Sequence, residues 1–131
     1  MKIRVGQIVK LYIPHFKKER YYLVYDVSFI DFTLLNITDR DKRESIKTEI
    51  IQYELETEIS PNITSLVNLN TKIQVDDELL CELIDKLPQQ NKNGEPLPSI
   101  SREEWIEITK GVKECFSNEK FRGNRYKVRI E

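Results

Sequence analysis

Two short stretches hold side chains of the types that grip and cut a phosphodiester: His15, Lys17, Lys18 and Arg20 in one, Thr38, Asp39 and Arg40 in the other. An arginine gives two parallel hydrogen bonds to phosphate oxygens and offsets the charge that grows during attack. A threonine hydroxyl orients the same group, and an Asp or a His moves protons. RNA carries its own nucleophile, the ribose 2′-hydroxyl, so its cleavage needs a base, an acid and a cation, with no metal and no other cofactor. Arg20, Thr38 and Asp39 are the candidates for catalysis, with His15 as a second proton carrier. His15, Lys17, Lys18 and Arg40 are candidates for holding the substrate. The plain alternative is that these are ordinary loop charges, a turn-opening aspartate and a surface imidazole.

The two stretches meet only if the strands around them pair. VGQIVKLYI, YYLVYDV and FTLLNI are rich in β-branched and aromatic residues and predict three strands by residue 37. PHFKKER is the expected connection between the first two, and Ser28 to Asp31 the turn between the second and third. In such a meander the start of strand two and the end of strand three lie at the same end of the sheet, which makes Arg20 and Thr38 neighbours. DRDKRES then reads as a charged loop, and IKTEIIQYELETEI satisfies neither the helical nor the strand period. Val67, Leu69, Thr71, Ile73 and Val75 alternate with polar residues as one further strand.

A helix is expected from Asp76 or Asp77, with Leu79, Leu80, Leu83, Ile84 and Leu87 as its apolar stripe. QQNKNGEPLPSI predicts an exposed loop, and Ser101 with Glu104 a capping box opening a second helix with Trp105, Ile108, Val112, Cys115 and Phe116 on one face. The basic end FRGNRYKVRIE fits either an edge strand or a frayed tail. Strands clustered before helices indicate an α+β, mostly β fold, a small antiparallel barrel with C-terminal helices. The expected division of one domain over 1–131 is a barrel over 1–75, a helical part over 76–117 and a basic tail over 118–131.

Composition narrows the function. With 131 residues and a net charge of -1, the chain is neither a large multi-domain enzyme nor a uniformly basic nucleic-acid binder. The charge is nonetheless uneven: residues 1–50 carry 10 Lys/Arg against 7 Asp/Glu, 51–85 carry 1 against 8, and 86–131 carry 10 against 7. A local positive patch is compatible with that balance. No apolar run reaches the length of a membrane span and the start does not read as a signal peptide, so the expected location is the cytoplasm and no membrane partner is expected. Cys81 and Cys115 are far apart and His15 is the single histidine, which argues against a zinc cluster and for buried, reduced thiols. P-loop, GxGxxG, HExxH and G-x-S-x-G motifs are missing from the sequence.

The order of elements resembles the PemK/MazF-like toxin family, endoribonucleases of type II toxin-antitoxin modules. GQIVKLYIP resembles that family's opening strand, ERYYLVYDV its second strand with an arginine near the start, and LLNITD its third. SLVNLNTKIQVDDELL and SREEWIEITKGVKECF are similar to its later strand, acidic turn and closing helix. The resemblance implies an SH3-like barrel, Arg20 and Thr38 as the catalytic arginine and threonine, and a homodimer whose groove admits single-stranded RNA. It also implies a cognate antitoxin whose acidic segment competes with RNA for Arg20, Lys17 and Lys18. The chain departs from the family pattern at Gln7, Tyr21 and Asp39, where Asp, Pro and Ser are usual. Two other readings stand beside this one. The first is a non-catalytic SH3-like binding module of phage or mobile-element origin, and the second a nucleic-acid binder that stacks bases on Tyr12, Phe16, Tyr21 and Tyr22.

Overall fold

The computed structural model describes residues 3–40 and 51–117, with the backbone of 124–128. In β1 (Ile8–Ile13) the alternation puts Val9, Leu11 and Ile13 on one face of the sheet and Ile8, Lys10 and Tyr12 on the other. A 3-10 turn, Pro14–Phe16, followed by Lys17 at φ 55, reverses the chain. The expected connection over 14–20 is shorter than the composition implies, because Lys18, Glu19 and Arg20 pair with Ile13, Tyr12 and Leu11 and so belong to β2 (Lys18–Val27). Strand β3 (Asp31–Asp39) follows after a turn in which the Ser28 amide donates to the Asp31 carbonyl at 2.9 Å and the Ser28 hydroxyl to the Asp31 carboxylate at 2.6 Å. The register slips by one at Tyr25, a bulge that adds twist midway along the hairpin.

Strands β4 (Gln52–Glu54), β5 (Ser65–Asn68) and β6 (Thr71–Asp76) complete the antiparallel part. The single strand expected from Val67 to Val75 is two. Thr38 pairs with Leu66 and Leu34 with Ile73, so four steps along β3 span seven along its partner. The three surplus residues form a kink closed by the Asn70 amide donating to the Asn68 side chain at 3.0 Å. Asparagine turn chemistry overrides an alternation that continues unbroken in the sequence. The first half of β3 therefore pairs with β6 and the second half with β5, and the path runs β1-β2-β3-β5-β4. Strand β7 (Asn124–Val128) adds to β6 in parallel, so that much of the basic end is an edge strand. The DRDKRES loop beyond Arg40 and the start of IKTEIIQYELETEI lie outside the described residues.

Helix α1 (Asp77–Asp85) is capped by the Asp76 carboxylate, which accepts from the Leu79 amide at 2.8 Å; Leu87 lies beyond its end. Helix α2 (Arg102–Ser117) begins with the Glu104 amide donating to the Ser101 hydroxyl at 3.2 Å. Each helix covers one face of the sheet. Leu80, Leu83 and Ile84 of α1 pack with Val9, Leu11, Tyr22, Val24 and Leu34, whereas Ile108, Val112 and Cys115 of α2 pack with Ile8, Leu23, Leu35 and Ile37. Gly111 permits the close approach of α2, since a Cβ there would sit 2.7 Å from Leu69 Cδ1. The architecture is α+β and mostly β, as the sequence indicates. Among the described residues no ladder joins β1 to β4 or to β7. Both cysteines are free, with Cys115 buried and Cys81 half-buried. No described helix is long and apolar enough to cross a membrane.

Candidate functional site

At the end of the sheet where β2 begins and β3 ends lies a cavity of about 220 Å³. Strand β1 contributes Lys10, β2 contributes Lys18, Glu19, Arg20 and Tyr21, and β3 contributes Ile37, Thr38 and Asp39. The rest of the wall is Ile59, Ser60, Ile63 and Ser65 from the segment leading into β5, and Lys92 from the loop between the helices. Four cationic and two acidic residues line it, and Lys10 and Glu19 approach to 3.7 Å; by alternation Lys10, Glu19, Tyr21, Ile37 and Asp39 stand on the face that α2 covers, and Lys18, Arg20 and Thr38 on the face that α1 covers. An excess of cations on a concave wall concentrates field lines and favours an anionic guest.

The wall is held from behind by three polar side chains. Gln89 clamps the free edge of β1: its Oε1 accepts from the Lys10 amide at 2.8 Å and its Nε2 donates to the Lys10 carbonyl at 2.9 Å. Asn91 is buried; its Nδ2 donates to the Ile59 carbonyl at 2.9 Å, and its Oδ1 accepts from the amides of Asn93 at 2.9 Å and Glu95 at 3.0 Å. Glu104, only 4% exposed, is not the returning half of a capping box. Its carboxylate accepts instead from the Glu56 amide at 2.6 Å, the Thr57 amide at 3.3 Å and the Thr57 hydroxyl, with the Tyr53 hydroxyl at 3.4 Å. Burial, followed by the charge of Glu104, pushes the Tyr53 hydroxyl above its ordinary pKa.

Arg20 and Thr38 fall where the strand logic places them. Tyr21 pairs with Ile37 and Tyr22 with Asn36, so one step further Arg20 and Thr38 stand opposite each other past the end of the ladder. By alternation Arg20, Tyr22, Asn36 and Thr38 share one face. Arg20 Nε, Tyr22 Oη, Asn36 Oδ1 and Thr38 Oγ1 are all buried and, among the described residues, have no hydrogen-bond partner. The Arg20 guanidinium carbon lies 5.7 Å from the centre of the Phe16 ring, against which His15 packs edge-on at 5.1 Å. Burial pushes the Tyr22 hydroxyl up to about 12, against the opposing pull of the Arg20 charge. Two more unpaired atoms, Trp105 Nε1 and Thr109 Oγ1, sit on α2, and neither residue lines the cavity.

Of the candidates read from the sequence, Arg20, Thr38, Asp39 and Lys18 come together at the cavity. His15 and Lys17 are exposed on the turn and do not line it, and Arg40 is exposed and paired with Glu54 at 2.8 Å. Lys10 and Lys92 were not among the candidates. Lys10 leaves one trace, as the lone charge in the apolar run IVKLYI. Lys92 leaves none, because its place depends on how Asn91 folds the loop.

Comparison of the chain with models of known families, with characterised proteins and with solved structures returns no match. What the chain itself defines is an α+β protein whose sheet ends in a cation-lined cavity, with a row of buried polar atoms on β2 and β3 unpaired among the described residues.

Proposed function

We propose that the protein binds single-stranded RNA at this cavity and cleaves it without a metal. Arg20 and Thr38 hold the phosphodiester while the ribose 2′-oxygen attacks phosphorus. The bond from phosphorus to the 5′-oxygen breaks, the 2′ proton passes to water, and water returns a proton to the leaving oxygen. The products are a 2′,3′-cyclic phosphate and a 5′-hydroxyl. The observation that carries this reading is that Arg20 and Thr38, opposite each other on paired strands and both lining the cavity, each bury a polar atom that has no partner among the described residues. Buried donors are costly when unpaired, by about 1–3 kcal/mol each, so a ligand that pairs with them recovers that cost. The resemblance to PemK/MazF-like toxins points the same way, and with it come a homodimer, an antitoxin with an acidic segment competing for the cavity, and a cytoplasmic setting.

Asp39 favours a second reading, a non-catalytic binding module, since it lines the cavity with a negative charge beside the place assigned to phosphate. One experiment separates the two. The purified chain is incubated in EDTA with a long single-stranded RNA, and the ends of any fragments are identified. Discrete fragments with cyclic phosphate ends are expected, with the rate falling about 10²–10³-fold in Arg20→Ala, as for loss of a donor to a developing oxyanion. Intact RNA with a folded wild-type protein selects the binding module.

A further inference from the structure

The tip of the β2-β3 hairpin is apolar where a turn has no need of it. Val27, Phe29 and Ile30 are 39%, 100% and 69% exposed and crowd into four consecutive positions, whereas apolar residues scattered singly are the ordinary condition of a surface. The tip is also rigid. The Val27 amide donates to Asp26 Oδ1 at 3.0 Å, the Asp31 amide to Ser28 Oγ at 3.2 Å, and the Asp77 amide at the start of α1 to the Ile30 carbonyl at 3.3 Å. Its surroundings are acidic: Asp26 and Asp31 flank it, Asp76 pairs with Asp31, and Asp77 is bonded to Ile30, while residues 21–39 and 73–85 contain no Lys, Arg or His. A rigid aromatic knob with an acidic rim fits a socket that is partly apolar and carries an excess of cations.

The chain carries such a socket at the other end of the same hairpin. Tyr21 and Ile37, which alternation puts on one face with Lys10, supply its apolar part together with Ile59 and Ile63, and its four cationic residues outnumber the two acidic ones. A cavity of about 150 Å³ takes up benzene, so one of about 220 Å³ has room for the ring of Phe29. Tip and socket cannot meet within one chain, because the ladder running from Tyr21 and Ile37 to Val27 and Phe32 lies between them. We propose that the Phe29 tip of one copy seats in the cation-lined cavity of a second copy of this chain, with Asp26 and Asp31 toward its Lys and Arg side chains. The occupant is another copy because one sequence supplies both complementary surfaces. The contact is small and of the weak, transient class. It goes beyond the RNA reading and does not rest on it.

The test is sedimentation equilibrium of the full chain over a range of concentrations, for the wild type, for Phe29→Ser and for the double variant Lys18→Glu with Lys92→Glu. All three positions are exposed, and circular dichroism verifies that each variant folds. The wild type is expected to gain mass with concentration. Phe29→Ser is expected to raise the dissociation constant about tenfold or more, as for loss of one buried aromatic side chain, and the double variant to weaken association as well. The decisive arm mixes the two variants, since one keeps only a working cavity and the other only a working tip. The mixture is expected to associate at concentrations where neither variant does alone, and to stop at two copies. A wild type that stays monomeric overturns the proposal, as does association undiminished in Phe29→Ser. Association undiminished in the double variant overturns it too, by marking a pairing of tip with tip, and so does a mixture that stays monomeric where the wild type associates.

Discussion

Two regions of this protein bury polar side chains, and they treat them in opposite ways. Around Glu104 the buried carboxylate is met by two backbone amides and two hydroxyls, drawn from Tyr53, Glu56 and Thr57. Across β2 and β3 the four atoms Arg20 Nε, Tyr22 Oη, Asn36 Oδ1 and Thr38 Oγ1 are also buried and are met by no partner among the described residues. The first arrangement is complete within the chain and fastens α2 to the segment that becomes the cavity wall. The second is incomplete among the described residues, and two of its four residues, Arg20 and Thr38, line the cavity. A satisfied network marks a structural joint, and the row of unsatisfied groups is what the proposed ligand would have to pair.

The contrast is broken or sharpened by substitution. The largest effect on stability is expected from Glu104→Ala, which strands the Glu56 and Thr57 amides in a partly buried turn. A loss of about 3 kcal/mol or more is expected from urea unfolding, since each abandoned donor costs about 1–3 kcal/mol. A loss below about 1 kcal/mol would mean that the joint is ornamental.

Tyr22→Phe is the counterpart in the unpaired row. At pH 7 it removes a hydroxyl that makes no bond to the described residues, so stability is expected to hold or to rise by up to about 1 kcal/mol. Its signature is at high pH. The folded-state value of about 12 lies above the ordinary 10, so between those values the unfolded chain has lost a proton that the folded chain keeps. Stability then falls as pH rises through that window, by about 2–3 kcal/mol in total. In Tyr22→Phe this part of the alkaline loss is expected to vanish from a pH series of unfolding midpoints.

Asn91→Ala comes next, at about 1–2 kcal/mol, with weaker RNA binding because Ile59 and Lys92 lose their support. The smallest effect belongs to Arg40→Ala, which breaks an exposed pair with Glu54 and is expected to cost less than about 1 kcal/mol and to leave binding unaltered.

These cases also show what the sequence reveals. The β1-β2-β3 meander and the meeting of Arg20 with Thr38 were legible because alternation fixes the faces and antiparallel pairing fixes which ends coincide. The break of the 65–76 strand was hidden, since Leu69 and Thr71 keep the alternation while Asn68 and Asn70 turn the chain. The loop after α1 reads as a loop, yet Gln89 reaches Lys10 across 79 residues and Asn91 reaches Ile59 across 32. No local pattern encodes a partner at that distance. Glu104 looked like a capping residue because its neighbours in sequence make it one, while its neighbours in space give it another task.

The most direct measurement is the rate of single-stranded RNA cleavage in EDTA by the wild type and Thr38→Val, with urea midpoints taken on the same samples. Thr38→Val keeps the shape and removes one unpaired hydroxyl. The expected result is discrete cleavage by the wild type, loss of it in Thr38→Val, and midpoints that coincide. Undiminished cleavage by folded Thr38→Val, or a folded wild type that leaves RNA whole, would contradict the assignment of the Arg20–Thr38 row to the phosphodiester.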